Sequence, residues 1–225
     1  KSTVAANLAW TLARSRDVVL VDCDVEEPNL HLFFPGETEA VPVTALVPEI
    51  DDDLCNFCGE CGEFCRFGAL AVVKDCVLTF PYLCHSCGGC ALVCPQGAIK
   101  EIPRTIGQVS CSKPLSRMVL ISGILNEGEV LAPTVIGAAK MFAEGHPFVL
   151  YDASPGIACP VIETLEGSDY CVLVTESTPF GLHDLRLAAG VAEELGIPAG
   201  VVINRSDGQD EETVAFCRDH DLPIL

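Results

Sequence analysis

Eight of the cysteines fall into two motifs that have the same spacing. The chain has 14 cysteines among 225 residues, and each motif reads Cys-x2-Cys-x2-Cys-x3-Cys. The first motif contains Cys55, Cys58, Cys61 and Cys65, and the second contains Cys84, Cys87, Cys90 and Cys94. Thiolates bind soft transition metals, so two motifs of four thiolates predict metal chemistry.

The spacing favours iron–sulfur clusters over zinc. Three thiolates separated by two residues can hold one face of a cubane cluster, while the fourth points away and completes the neighbouring cluster. This logic assigns Cys55, Cys58, Cys61 and Cys94 to cluster 1, and Cys84, Cys87, Cys90 and Cys65 to cluster 2. The alternative is two zinc knuckles, but their Cys-x2-Cys pairs are usually separated by longer loops. The segment resembles the bacterial ferredoxins that carry two [4Fe–4S] clusters, although Arg66 stands where the second motif has Pro95.

The elements around these motifs alternate between strands and helices. Apolar residues at helical spacing predict a helix over Ser2–Ser15, and further helices are predicted over Val130–Glu144, Gly181–Leu195 and about Gln209–His220. Unalternating apolar runs predict buried strands over Val18–Asp22, Phe148–Asp152, Tyr170–Thr175 and Ala199–Asn204, with another beginning at Leu222. This pattern predicts an α/β fold with a mostly parallel sheet and helices on both faces.

The cysteine motifs interrupt that alternation as an insertion. The segment 49–103 is rich in cysteine and glycine, and its second half repeats the first. We therefore predict an ATPase-type α/β domain in two parts, residues 1–48 and 104–225, with a ferredoxin-like module at 49–103 inserted between them.

Several short segments outside the insertion resemble a nucleotide-binding family. The opening Lys1-Ser2-Thr3 alone is typical of an ordinary helix N-terminus, but it also matches the tail of a phosphate-binding loop that runs into a helix. Together with Val18–Leu30, Phe148–Ile157, Thr175–Leu185 and the late VVINR, it resembles the MinD/ParA/Mrp family of P-loop ATPases. The similarity is greatest to the MinD-like subgroup with an inserted ferredoxin domain.

The resemblance implies roles for individual residues. Lys1 would reach the β- and γ-phosphates, Thr3 would bind the α-phosphate, and Asp24 would orient the attacking water. Ser2, Asp22 and Asp152 would hold or approach Mg²⁺. Gly156 would sense the γ-phosphate through its backbone, and Asn204 with Arg205 would bind the adenine. The implied cofactors are two [4Fe–4S] clusters, ATP or ADP, and Mg²⁺. The same resemblance leads us to expect a glycine-rich loop and a signature lysine before Lys1, and a closing helix after Leu225.

Composition excludes some classes of partner. The chain has 13 basic and 32 acidic residues and a formal charge of −19, which disfavours nucleic acid and anionic lipid. The longest stretch without charged residues at the metal motifs contains Pro81, Pro95 and glycines, which is not typical of a membrane helix. The opening residues have no signal-peptide pattern. We therefore predict a cytoplasmic protein with no stable membrane insertion.

These observations favour an Mg²⁺-dependent ATPase whose nucleotide switch is coupled to two [4Fe–4S] clusters. The coupled event would be either electron transfer or assembly and delivery of a metal or iron–sulfur cofactor. One alternative is a ferredoxin-type electron-transfer module whose ATPase half only docks. Another is a redox-sensing MinD-like spatial regulator. The implied partners are a second copy or a homologous ATPase in a dimer, together with a redox or cofactor-accepting protein.

Overall fold

The computed structural model describes residues 1–206, 208 and 210–225, and within this part of the chain nine strands and seven α-helices occur. The strands are β1 (Val18–Asp22), β2 (Glu39–Ile50), β3 (Leu70–Val73), β4 (Cys76–Thr79), β5 (Ile99–Leu115), β6 (Met118–Leu125), β7 (Val149–Asp152), β8 (Cys171–Glu176) and β9 (Ala199–Asn204). The helices are α1 (Ser2–Leu12), α2 (Glu60–Phe64), α3 (Gly89–Val93), α4 (Ala132–Ala143), α5 (Cys159–Leu165), α6 (Pro179–Glu194) and α7 (Glu211–Asp219).

The main sheet has five strands in the order β2-β5-β6-β1-β7. Strand β1 pairs in parallel with both β6 and β7, and all five of its residues are buried. Such complete burial explains its unalternating apolar sequence, because both faces of a parallel sheet are covered. On the far side, β5 pairs antiparallel with β6 and with β2. A second sheet contains β8 and β9 in parallel, with an isolated parallel bridge between Val201 and Ile224.

Helices cover both faces of the main sheet. On one face, Ala6 and Ala9 of α1 pack with Val18 and Leu20 of β1. On the other face, Val135, Ile136 and Ala139 of α4 pack with Val19 and Val21 of β1. The alternate residues of a strand point to opposite faces, so one buried strand anchors both layers. The predicted α/β architecture with a mostly parallel sheet is confirmed.

A long antiparallel ribbon connects the cysteine motifs to this sheet. Strands β2 and β5 pair from Glu39↔Cys111 to Ile50↔Ile99, with one irregularity after Val43. Between the two strands lie α2, α3, the β3–β4 hairpin and a short 3₁₀-helix at Pro81–Leu83. The ribbon therefore holds the motif-bearing segment at one end and joins the main sheet through β5 at the other.

The predicted elements agree with those observed to within a few residues. The predicted helix over Ser2–Ser15 is α1, and the predicted final strand corresponds to the bridge at Ile224. The predicted start of the last helix, Gln209, lies outside the described residues, and α7 begins at Glu211. The five strands β2 to β6 and the helices α2, α3 and α5 were not predicted. Of the helices within the described ranges, none is both long enough and apolar enough to cross a membrane.

Candidate functional site

Two acidic strand ends meet the N-terminus of α1. Asp22 ends β1 and Asp152 ends β7, and these two residues are paired across the parallel ladder. Both carboxylates are buried. Burial raises the pKa of Asp152, and the nearby Ser2 hydroxyl and Lys1 charge partly oppose that shift. Its Oδ2 is buried and has no hydrogen-bond partner among the described residues. This oxygen and the Ser2 hydroxyl form a donor set that suits a hydrated Mg²⁺ ion.

The carboxylate of Asp22 is occupied by backbone contacts. Its Oδ2 accepts hydrogen bonds from the Asn29 and Leu30 amides at 2.9 Å each, and its Oδ1 accepts one from the Asp24 amide at 3.3 Å. Burial raises the pKa of Asp22 to about 6, against the opposing effect of these bonds. The arrangement favours a role in holding the loop that carries Asp24, because three backbone amides donate to this carboxylate.

Asp24 and Lys1 lie on the same side of this edge. Burial lowers the pKa of Lys1, while the negative charges of Asp152, Asp24 and Asp184 act in the opposite direction. Burial raises the pKa of Asp24, and the positive charge of Lys1 opposes it. The Lys1 ammonium therefore lies near three carboxylates. Because these carboxylates repel a phosphate, a phosphate can bind here only together with a cation that balances their negative charge.

A cavity adjoins the ammonium of Lys1. Lys1, Gly156 and Asn204 all contribute to its wall, as do Glu176 and Asp184. Gly156 has a φ of +97°, a left-handed conformation that favours glycine. Three of the residues assigned to nucleotide binding from sequence are therefore brought to one cavity. The sequence interpretation did not single out Glu176 and Asp184, although both lie at or near the segment Thr175–Leu185 that carries the resemblance.

Ser2, Thr3 and Arg205, which were also assigned to the nucleotide, do not line this cavity. Arg205 is exposed and pairs with Glu176, with 3.2 Å between Nη1 and Oε1. Thr3 lies in the first turn of α1, where its carbonyl accepts a hydrogen bond from the Asn7 side chain at 2.7 Å.

The eight motif cysteines separate into two groups of four. One cavity is lined by Cys55, Cys58, Cys61 and Cys94. A second cavity is lined by Cys65, Cys84, Cys87 and Cys90. Each group thus contains three cysteines of one motif and the last cysteine of the other, which is the grouping expected for two cubanes.

The pKa shifts of the two buried thiols Cys61 and Cys90 indicate the same two groups of cysteines. Burial raises the pKa of Cys61, and Cys55 and Cys94 add to that increase. Burial likewise raises the pKa of Cys90, and Cys84 and Cys87 contribute in the same direction. A cluster would reverse these shifts, because a coordinated thiol is deprotonated by its metal.

The backbone of the two motifs is arranged alike. The Ala69 amide donates to Cys65 Sγ at 3.3 Å, and the Ala98 amide donates to Cys94 Sγ at 3.4 Å. Gly59 and Gly88 occupy equivalent positions just before α2 and α3, and both have positive φ. The sequence repeat is therefore also a structural repeat, and N–H donors already point at thiol sulfurs that would carry negative charge as ligands.

No three His, Cys, Asp or Glu side chains within the described residues converge so as to hold a single metal ion. A tetrahedral zinc site would need its sulfurs ~3.8 Å apart, given Zn–S bonds of about 2.3 Å. A [4Fe–4S] cluster instead binds one thiolate at each iron, so its four ligands surround a larger volume.

Comparison with known sequences relates the chain to a nucleotide-binding family. The profile of the CobQ/CobB/MinD/ParA nucleotide binding domain (CbiA) matches residues 1–224. Two proteins of Methanocaldococcus jannaschii are similar over most of the chain. Uncharacterized protein MJ0579 is 31% identical over 91% of this chain and 75% of its own length. Uncharacterized protein MJ0578 is 34% identical over 83% of this chain and 67% of its own length.

Solved structures share the fold. The septum site-determining protein MinD of Pyrococcus horikoshii, complexed with Mg-ADP, aligns with 99% of this chain and 73% of its own, at a TM-score of 0.56 and 16% identity. A ParA family ATPase from Chlorobium tepidum aligns with 99% of this chain and 76% of its own, at a TM-score of 0.53 and 16% identity.

Proposed function

Because the chain belongs to the CobQ/CobB/MinD/ParA family of nucleotide-binding domains, we propose that it is an Mg²⁺-dependent ATPase coupled to two [4Fe–4S] clusters. The MinD and ParA members of this family are ATPases. The observation that carries the iron–sulfur part is the division of the eight motif cysteines into two four-cysteine cavities. In each cavity the fourth thiol comes from the other motif, a pattern that two independent zinc knuckles do not require.

The residues near α1 supply the ATPase chemistry in this proposal. Lys1 binds the β- and γ-phosphates, and Thr3 binds the α-phosphate. Ser2 and the unpartnered Oδ2 of Asp152 hold Mg²⁺, which neutralises charge on the phosphates when it is bound. Asp24 orients the attacking water. Asp22, which the resemblance places near the magnesium, also holds the Asp24 loop through its three backbone contacts.

The remaining assignments concern the nucleotide's outer contacts. Gly156 approaches the γ-phosphate through its backbone, which its positive φ and the open space around its Cα support. Asn204 binds the adenine from the cavity wall. Arg205 assists Asn204 in this proposal, although its guanidinium pairs with Glu176 here and would have to exchange that partner.

The inserted module supplies the electron-carrying part. Each cluster, when bound, accepts or donates one electron. Cys55, Cys58, Cys61 and Cys94 hold cluster 1, and Cys65, Cys84, Cys87 and Cys90 hold cluster 2. The amides of Ala69 and Ala98 donate to ligand sulfurs and thereby stabilise the reduced, more negative state. In this proposal the ATPase domain comprises residues 1–48 and 104–225, the inserted module comprises residues 49–103, and the β2–β5 ribbon connects them.

The coupled event is electron transfer, or delivery of a metal or iron–sulfur cofactor, between this protein and a redox or cofactor-accepting partner in the cytoplasm. We propose that the working unit is a dimer, either of two copies or with a homologous ATPase. Each cluster would be bound by cysteines of both motifs and therefore by two separate segments of the module. This arrangement favours clusters that stay bound as redox centres over clusters that are transferred to another protein.

Anaerobic purification followed by metal analysis and EPR tests the proposal. We expect about eight iron atoms per chain, an equal amount of sulfide, and EPR signals of reduced [4Fe–4S] clusters that change on addition of MgATP. Stoichiometric zinc without visible charge-transfer absorbance would refute the cluster assignment. Full cluster content without any MgATP hydrolysis would leave the docking-module alternative as the better description.

A further inference from the structure

Arg104 connects three parts of the molecule. It lies on β5 within the ribbon, where it pairs with Ala45 of β2. Its guanidinium forms a two-pronged contact with the Glu129 carboxylate, in which Nη2 and Oε2 are 2.7 Å apart. The same Nη2 donates to the Pro81 carbonyl at 3.1 Å, and the guanidinium lies over the Tyr82 ring. Arg104 thus contacts the main domain through Glu129 and the inserted module through Pro81 and Tyr82.

The module side of this contact leads directly to a cluster ligand. The Pro81 carbonyl that accepts from Arg104 also accepts from the Cys84 amide at 3.1 Å. Cys84 is buried and belongs to the cysteine group of cluster 2. The hydrogen-bonded Glu129 raises the pKa of Arg104, and Tyr82 and Cys84 act in the same direction, so the thiol is within electrostatic range of the guanidinium. Arg104 therefore affects Cys84 both by charge and through a shared carbonyl.

The main-domain side leads to the nucleotide loop. Glu129, whose side chain is 1% exposed, lies in the turn that follows β6. Its amide donates to the Asn126 carbonyl at 3.2 Å, and the preceding Leu125 amide donates to the Val25 carbonyl at 2.8 Å. Val25 is the residue after Asp24. A continuous series of hydrogen bonds and short chain segments therefore runs from the Asp24 loop through Glu129 and Arg104 to Cys84.

Two features distinguish this contact from an ordinary surface ion pair. The Glu129 carboxylate is almost fully buried, so loss of its partner would leave an uncompensated charge. In addition, Arg104 Nε is buried and has no hydrogen-bond partner among the residues that the structure describes. The guanidinium therefore keeps one buried donor that no described group satisfies.

We propose that Arg104 is the positioning residue through which the nucleotide state at Asp24 changes the redox properties of cluster 2. The inference rests on the proposed function, since it needs both a nucleotide and a cluster. On MgATP binding, the Asp24–Val25 segment moves and shifts the β6–α4 turn that contains Glu129. Arg104 moves together with Glu129. The positive charge near Cys84 and the hydrogen bond to Pro81 change as a result. Cluster potentials respond to both quantities.

Redox titration of the anaerobic, full-cluster protein with and without MgATP tests this role. In Arg104→Gln, we expect a more negative midpoint for cluster 2, because a positive charge is lost beside it, and loss of most of the MgATP-induced shift. In Arg104→Lys, the midpoint without nucleotide stays near that of the wild type, but the MgATP-induced shift is lost, since lysine cannot bridge Glu129 and Pro81 with a planar fork.

Two further variants keep the test decisive. Glu129→Gln removes the main-domain partner but leaves the Arg104 charge beside Cys84. It should therefore abolish the nucleotide response and, because a buried negative charge is lost, shift the nucleotide-free midpoint to a less negative value, opposite to Arg104→Gln. Lys100→Gln is the matched control, because Lys100 is a basic residue on the same strand whose side chain is 69% exposed and pairs with Asp51, with 3.8 Å between Nζ and Oδ2. It removes the same charge and should keep the full MgATP-induced shift.

The outcomes separate this inference from the proposed function. Protein without iron and sulfide would refute the proposed function itself. Protein with full iron content and ATPase activity whose Arg104 variants keep the wild-type MgATP-induced shift would refute only the role of Arg104. A wild type with full clusters and ATPase activity that shows no MgATP-induced shift would refute the coupling in the proposed function, and the role of Arg104 with it. A tenfold change in MgATP affinity between redox states corresponds to ~59 mV for a one-electron couple, which such a titration resolves.

Discussion

The exchange of the last cysteine between motifs makes a prediction that a pair of double variants can test. The double variant Cys58→Ala/Cys94→Ala removes two thiols that line the same cavity. The double variant Cys58→Ala/Cys65→Ala removes two thiols of the same sequence motif, which line different cavities. Both doubles share Cys58, and Cys65 and Cys94 are both half-buried, so their packing costs are matched.

The expected magnitudes follow from which thiols share a cavity. With Cys58 and Cys94 absent, cluster 1 loses two of its four ligands while cluster 2 keeps all of its own. One intact cluster, or about four of about eight iron atoms, should therefore remain. With Cys58 and Cys65 absent, each cluster loses one thiolate, so no cluster keeps its complete ligand set.

The assay is iron and sulfide analysis together with spin quantitation of reduced [4Fe–4S] signals on anaerobically purified protein. Counting intact clusters by EPR is essential, because a site with three thiolates can retain some iron without a complete cubane. If each motif held its own cluster, the results would be reversed: the Cys58/Cys65 variant would keep one intact cluster and the Cys58/Cys94 variant would keep none. That result would refute the crossed assignment.

Three further predictions concern the main domain. Asp24→Ala should retain MgATP binding but lose at least about 100-fold in turnover, because water would no longer be oriented. The pKa of Asp22 is raised to about 6 in the folded state, so the folded protein binds more protons than the unfolded chain between about pH 4 and pH 6. The free energy of unfolding without nucleotide should therefore fall as pH rises through that range, by at most about 3 kcal/mol from this group, and Asp22→Asn should flatten the fall. Gly123→Ala would place a Cβ 2.7 Å from Val25 Cγ1 and should lower the free energy of unfolding by about 1–3 kcal/mol. Gly190→Ala in α6 meets no atom within 4 Å and should raise it by about 0.5–1 kcal/mol.

Each of these measurements has an outcome that contradicts it. Steady-state hydrolysis and nucleotide binding are compared between Asp24→Ala and Glu26→Ala, an exposed neighbour; equal turnover in both would show that Asp24 only shapes the turn. Denaturant titrations at several pH values give the slope, and an unchanged slope in Asp22→Asn would assign the pH dependence to other carboxyl groups. For the glycine pair, a rise in the free energy of unfolding in both variants would mean that the contact with Val25 carries no steric cost, and a fall in both would refute the prediction for Gly190.

Local sequence was sufficient to predict β1 and β7 of the parallel core, although not β6 between β1 and β5. A run such as Val18–Asp22 is apolar at every position because both of its sides are covered, and that property is visible without a partner strand. The helices beside it have regular apolar spacing, so their existence also follows from nearby residues. The regular spacing of the cysteines likewise predicted which thiols share a cavity, because the tight turns between them limit where each can point.

The long ribbon could not be predicted in this way. Strand β2 carries Pro42 and Pro48, and β5 carries Pro103, residues that argue against a strand when the partner is unknown. They are tolerated in β2 because it forms the edge of the five-stranded sheet. Antiparallel pairing between residues that are far apart in the chain depends on the tertiary structure. The pairing of β2 with β5 is therefore seen only in the structure, where it places the cysteine-rich segment at one end of the ribbon.

Contacts between distant charged residues were also decided by tertiary structure alone. Asp22 resembles a metal-binding acid in sequence, yet its oxygens accept the amides of a loop that the fold brings back over the strand end. Arg104 carries no local signal, because its partners Pro81 and Glu129 lie in different parts of the molecule. Local spacing and burial in the sequence thus determined which residues we propose to bind nucleotide and iron. The connection between the two sites depends on long-range packing, which no local pattern encodes.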